Sequence, residues 1–170
     1  MLQLKTHNYT VYFDKYLELV PEIQLIDALK YSFHQLESLV ITFSEEKGNY
    51  AYAPEKWTIK ELLIHLIDTE RIFCYRALTI ARNDKSDIPG FDENFYVKES
   101  NAGSRTLSSI LNEYRAVRTS TINLFQNFSD EMLNRSGKAN NNSMTVLSIG
   151  YFISGHELHH LSILNSLYLV

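Results

Sequence analysis

Gly155-His156-Glu157-Leu158-His159-His160 lies in an apolar stretch near the C-terminus and holds three of the six histidines of the chain. His156 and His160 are four apart, so on a helix their rings leave the same face one turn apart. Ile149, Phe152, Ile153, His156, His160, Ile163 and Leu167 form one stripe at helical period. That period predicts a last helix from about Met144 to Leu169, in spite of the β-branched Thr145, Val146, Ile149, Ile153 and Ile163. Histidines on an inward stripe need partners, because each missing hydrogen bond costs a buried imidazole about 1–3 kcal/mol. Core hydroxyls or backbone can supply them, and so can a metal. Two histidines rarely hold a metal well, so the metal reading requires a third ligand elsewhere.

Working outward, the chain has only three prolines and six glycines in 170 residues, which favours long helices. A first helix is predicted from about Pro21 to Phe43, followed by a loop from Ser44 to Pro54. Thr58-Ile59-Lys60-Glu61 fits a capping box that opens a second helix, with Trp57 placed to staple its first turn and an end near Arg82. Asn83 to about Arg105 is a turn-rich connection containing Pro89-Gly90 and Asn101-Ala102-Gly103. A third helix spans about Leu107 to Phe128. Ser129-Asp130-Glu131 starts a single short turn, and Gly137 to Ser143 is a loop. With no clear strand pattern, this predicts an all-α four-helix bundle forming one domain over residues 1–170.

His65 is the candidate third ligand. It shares a face with Thr69, Ile72 and Arg76. At 1.5 Å per residue it lies roughly 10 Å from the start of its helix, and the His156–His160 pair lies roughly 12–18 Å from the end of the last. These heights match if the second and fourth helices are antiparallel. That selects an up-down-down-up bundle, whose parallel second and third helices need a long crossover between them. The connection from Asn83 to Arg105 has the required length and place.

Three histidines leave at least one coordination position open, the pattern of catalytic rather than structural metal sites. Imidazole suits Zn, Ni, Cu or Fe. Thr69, Glu157 and His159 are candidates to back the ligands from behind, and Glu70 and Glu157 otherwise read as solvated. Arg76, Phe91, Asp92, Asn94 and Tyr96 are candidate substrate contacts. The segment Gly90–Tyr96 mixes aromatic, acidic and amide groups, as a pocket lid does, and its bland alternative is a loop covering the bundle edge. His156-Glu157-x-x-His160 also matches a zinc-protease string, but only ten residues follow His160 to supply a further ligand.

The net charge of −4 and the lack of a basic run argue against nucleic-acid binding. Met1 to Tyr9 does not read as a signal peptide, and no apolar run reaches membrane-spanning length. The single cysteine, Cys74, excludes an internal disulfide and reads as a small buried hydrophobe, with a catalytic thiol as the lesser alternative. A cytoplasmic location is the expectation.

Four motifs together resemble the DinB-like family of metal-binding four-helix bundles, which includes bacillithiol- and mycothiol-dependent S-transferases. They are Lys56-Trp57-Thr58-Ile59-Lys60-Glu61, His65-Leu66-Ile67-Asp68-Thr69-Glu70-Arg71, Pro89-Gly90-Phe91-Asp92-Glu93-Asn94, and Gly155 to His160. The resemblance covers most of the chain. It implies metal binding by His65, His156 and His160, a divalent ion that is often nickel or zinc, an up-down-down-up bundle and a homodimer. Many relatives carry Gln shortly after the double histidine, where this chain has Leu161-Ser162-Ile163.

Three functions compete. The leading one is a metal-dependent enzyme of thiol S-transferase type, joining a low-molecular-weight thiol to a small electrophile, with metal-dependent hydrolysis as the alternative chemistry. The second is a non-catalytic metal-binding or sensing bundle. The third is a structural dimer whose histidines are only hydrogen-bonded.

Overall fold

The computed structural model describes residues 13–86 and 88–169. The Met1–Tyr9 stretch that bears on a leader lies outside the described residues. After a short helix α1 (Asp14–Leu17) comes α2 (Leu25–Val40), then a single turn α3 (Glu45–Gly48) inside the segment expected as loop. The long α4 (Ile59–Ala81) starts at the anticipated capping box. Thr58 N–H donates to Glu61 Oε2 at 2.7 Å, and Glu61 N–H donates back to Thr58 Oγ1 at 3.2 Å.

The crossover contains its own helix α5 (Glu93–Glu99), because the Asp92 carboxylate caps the amides of Asn94 and Phe95 at 3.0 Å. Next are α6 (Leu107–Gln126) and the short α7 (Asp130–Asn134).

The Gly137–Ser143 segment is not a loop. It forms an antiparallel hairpin of β1 (Ser136–Ala139) and β2 (Asn142–Thr145). Its two turn residues, Asn140 and Asn141, both have positive φ, the two-residue connection that asparagine tolerates and that matches strand twist. The all-helical expectation therefore needs this correction: the paired asparagines carried the hairpin signal. The last helix α8 (Val146–Ile163) starts one residue beyond Thr145, which forms a second capping box with Ser148. A π-helical stretch, Leu164–Tyr168, completes it. No helix among the described residues is long and apolar enough to cross a membrane.

Side-chain pairs set the direction of each helix. Tyr168 donates to the Trp57 carbonyl at one end of α4, and Arg135, just before β1, donates to the Ala81 carbonyl at the other, so α4 and α8 are antiparallel. Glu70 meets Arg118 and Cys74 meets Thr121, so α4 and α6 run the same way. Tyr151 donates to the Ile23 carbonyl and Ser154 to the Ala28 carbonyl, so α2 and α8 are parallel. The four long helices thus run up, down, down, up.

The apolar core is in two halves. One gathers Leu29, Phe73, Phe125 and Ile153; the other gathers Leu36, Ile67, Tyr114 and Leu164. Between them lies a charged layer with one residue from each long helix: Ser32, Glu70, Arg118 and Glu157. Arg118 Nε and Nη2 donate to the two oxygens of Glu70, each at 2.9 Å. Its Nη1 donates to Glu157 at 2.9 Å, to Ser32 Oγ at 3.3 Å and to the Leu29 carbonyl. Tyr114 donates to the second oxygen of Glu157 at 2.6 Å. Glu70 and Glu157 are therefore not solvated; they are the counter-charges of a buried arginine only 2% exposed. Burial by itself would lower the Arg118 guanidinium, but Glu157 and Glu70 outweigh it and hold the guanidinium well above its ordinary value.

Gly155 sets a second close contact. A Cβ there would stand 2.2 Å from the Tyr16 carbonyl oxygen, so α1 lies directly on the α8 backbone.

Arg118→Met leaves two buried carboxylates without their cation and lowers unfolding free energy by about 3–5 kcal/mol. Adding Glu70→Gln and Glu157→Gln recovers part of that loss in denaturant titrations; a loss under about 1 kcal/mol for the single variant would contradict the assignment. Gly155→Ala costs about 1–3 kcal/mol, because the clashing atom is backbone and cannot rotate away. Hydrogen exchange then shows α1 opening ahead of the rest of the fold.

Candidate metal centre

His65 stands two turns into α4, and the capping box and the charged layer hold that helix in rotation and height. His156 and His160 stand one turn apart on α8. Antiparallel packing brings the three together: His156 Nε2 lies 3.2 Å from His65 Nε2 and 3.1 Å from His160 Nε2. All three residues are buried, at 7–9% exposure, and one ligand atom from each lies within 4.8 Å of the others.

The donor set fits a divalent ion. Zinc–nitrogen bonds of about 2.0–2.1 Å at tetrahedral angles place nitrogens roughly 3.3–3.4 Å apart, and octahedral angles bring that to about 2.8–3.0 Å. The observed spacings lie between these. Hydrogen bonding among the rings fits less well. His156 Nε2 faces two ring nitrogens, and with one hydrogen or one lone pair it can pair with only one of them. Desolvation lowers the His65 pKa to about 4 and that of His160 to about 3, and burial with the nearby histidines holds His156 well below its ordinary value. All three are thus neutral at pH 7, the form that ligates. Thr69 Oγ1 is 3.5 Å from His65 Nδ1. With Nδ1–H donating to it, the His65 Nε2 lone pair is left pointing into the cluster.

The histidines form one end of a cavity of about 500 Å³ between α4 and α8. Phe152 stacks on His156 at 5.4 Å between centroids, and Phe73 stacks on Phe152 at 4.2 Å, which makes an aromatic floor. The Trp57 ring lies 4.7 Å from His65; the side chain expected to brace the first turn of α4 instead walls the site. A second cavity of about 260 Å³ touches the far side of Trp57 and His160.

The residues expected to contact substrate divide. Arg76 and Phe91 line the main cavity with the histidines. Asn94 lines the second cavity. The Asp92 carboxylate is used in capping α5, and Tyr96 is exposed with its ring 5.3 Å from that of Phe91. Thr69 and His159 line the main cavity. Glu157 directs its hydrogen bonds to Tyr114 and Arg118 on the other side of α8. Cys74 faces α6 with its Sγ 3.2 Å from Thr121 Oγ1, and burial pushes its thiol up to about 12, so a nucleophilic role does not fit.

Sequence reasoning missed Tyr16, Phe73, Asn140, Asn142 and Phe152 as lining residues. Phe152 was within reach, one turn before His156 on the same stripe, and so was Phe73, one turn beyond Thr69. The others arrive from distant segments with no periodic signal.

Comparison with known proteins agrees with this architecture. The model of the DinB superfamily matches residues 28–164. Among solved structures, YfiT from Bacillus subtilis, described as a probable metal-dependent hydrolase with an unusual four-helix bundle topology, is similar with TM-score 0.73 and 16% identity. The match covers 84% of this chain and 83% of that one. The mycothiol-dependent maleylpyruvate isomerase is similar with TM-score 0.69 and 8% identity, over 86% of this chain and 61% of that one. No curated protein sequence matches. With four fifths of its length inside the family model, the chain belongs to the DinB superfamily.

Proposed function

We propose that the protein is a metal-dependent enzyme in which His65, His156 and His160 hold one divalent ion, nickel or zinc, and that it joins a low-molecular-weight thiol to a small electrophile. The observation that carries this is the convergence of three buried histidine nitrogens on the wall of a cavity large enough for a small molecule. A bound divalent ion would lower the pKa of a coordinating thiol and so raise its nucleophilicity at neutral pH.

The chain's own residues do the rest. Thr69 fixes the His65 ring, and Phe73 and Phe152 exclude water from the cavity floor. Phe91 closes the cavity from the crossover. Glu93, exposed on α5, is the only carboxylate among the described lining residues, so no acidic general base stands beside the histidines. A thiolate held by the ion would need no such base at the moment of attack. Membership of a superfamily with structural relatives described as metal-dependent and mycothiol-dependent supports the same reading.

Protein purified without a histidine tag is expected to carry close to one equivalent of divalent metal by elemental analysis. His160→Ala is expected to lose most of it, and full occupancy in that variant would remove the assignment. Incubation with a small thiol and a chlorinated nitrobenzene should give a thioether product that stops with chelator and returns with Zn²⁺ or Ni²⁺. Turnover of esters without thiol would favour the hydrolase instead.

A further inference from the structure

Two arginines are deeply buried among the described residues, and their surroundings are opposite. Arg118 spends its guanidinium on two carboxylates, a hydroxyl and a carbonyl. Arg76 is equally hidden at 4% exposure, yet its one hydrogen bond is from Nη2 to the Pro89 carbonyl, at 3.2 Å. Its Nε has no partner, and no carboxylate among the described residues forms an ion pair with it. A guanidinium has five N–H donors and stays charged, so this is a buried cation whose Nε–H is left without a partner. Its underside is covered: Phe73 lies 4.6 Å from the guanidinium carbon, a cation–π contact. Its open edge belongs to the cavity that ends at the three histidines.

We infer that Arg76 anchors the carboxylate of an elongated, flat ligand whose other end reaches the three histidines. The inference rests on the metal centre proposed above for the role of that second end. Arg76 follows His65 by eleven residues on one helix face, a rise of about 16 Å. The stacked path from the His156 ring through Phe152 and Phe73 to the guanidinium has steps of 5.4, 4.2 and 4.6 Å, which bound the separation at about 14 Å. Two linked aromatic rings, or a chain of eight to ten atoms, span such a gap at roughly 1.2–1.5 Å per bond. The stacked rings spend their faces on one another, so the apolar wall along this path is made of ring edges, against which an aryl body packs edge to face. A carboxylate docked on Arg76 takes two N–H groups of the guanidinium in the paired geometry that it offers. Asn140 and Asn142, at the hairpin turn, add neutral polar groups to the cavity wall without competing for the charge. Glu93 lies on the same wall but is exposed on α5 and makes no ion pair with Arg76. A net charge of −4 gives the protein no general affinity for anions, so the preference is local to this arginine.

The test uses 4-biphenylcarboxylate and its neutral twin 4-biphenylcarboxamide, neither of which carries a thiol. Both are titrated by calorimetry or NMR into zinc-loaded and chelator-treated protein. The acid is expected to bind at least about tenfold tighter than the amide in both states, the scale of a charge-assisted hydrogen-bond pair. Arg76→Gln is expected to abolish that ratio. Arg76→Lys, which keeps the charge and loses the fork, is expected to retain a smaller one; it serves as the second variant if Arg76→Gln does not fold by circular dichroism. Equal binding of acid and amide, no binding of either, or a ratio unchanged in Arg76→Gln overturns the assignment. A merely structural Arg76, holding the crossover through Pro89, would weaken both probes alike and leave the ratio intact. Protein that takes up no zinc when zinc is offered and still prefers the acid supports the Arg76 subsite while removing the metal centre, so the two readings fail separately.

Discussion

The bundle is organised around one buried cation. Arg118 reaches three other helices at a single height, taking Glu70 of α4, Glu157 of α8, and Ser32 with the Leu29 carbonyl of α2. Sliding α6 by one turn, about 5.4 Å, would part the fork from both carboxylates at once. Apolar packing above and below tolerates small shifts; a desolvated charge layer does not, because each lost contact exposes a group that no water can reach. The layer therefore sets register. It also sets rotation: Glu157 turned toward Arg118 leaves His156 on the adjacent face of α8, toward α4. The histidine cluster and the charge layer are two sides of one helix orientation.

Parallel α4 and α6 follow from the same layer, and they impose the crossover. Chain leaving α4 at the hairpin end must return to the other end before α6 can begin. It does so along the open face between α4 and α8. Ile88 pairs with Ala139, and the Asn140 amide donates to the Ile88 carbonyl at 2.8 Å. Gly90 passes so close to Asn140 that a Cβ would meet its side-chain amide at 2.7 Å. The hairpin thus exists as a dock for the returning chain, and the docked chain carries Pro89 and Phe91 to the cavity. Topology and pocket have a common origin.

How much of this was legible from residues alone depends on the range of the interaction. The capping box at Thr58, the one-turn spacing of His156 and His160, and the shared face of His65, Thr69 and Arg76 are local, and local periodicity reads them directly. Even the antiparallel pairing of α4 and α8 was accessible, because ligand heights and crossover length are both sums over sequence. Arg118 was not. It sits among polar neighbours in a helix whose apolar face is broken at that point, and nothing nearby announces that its partners lie 48 and 39 positions away. The hairpin was lost for a different reason: four-residue strands around an Asn-Asn turn are too short for alternation to show, although the turn residues carried the signal. The cavity walls from α1 and the hairpin are tertiary facts without a periodic trace.

The contrast between Arg76 and Arg118 carries the chemistry furthest. Both are buried side chains and lose hydration that they must recover, Arg118 wholly and Arg76 at least at its Nε. Arg118 recovers it within the chain, and its carboxylate partners are built into the bundle's register. Arg76 recovers one hydrogen bond, from the crossover, and a ring face. Had this charge been kept for stability alone, an apolar residue on Phe73 would pack as well without the desolvation cost, since buried charges gain little over well-packed hydrophobic substitutes. What an apolar residue cannot do is hold a cation at a fixed distance from three histidines along a stacked aromatic floor. Arg76 lines the same cavity as the three histidines, so on the proposed reading the two ends form a single recognition surface, with the stacked rings between them setting the length of what it accepts.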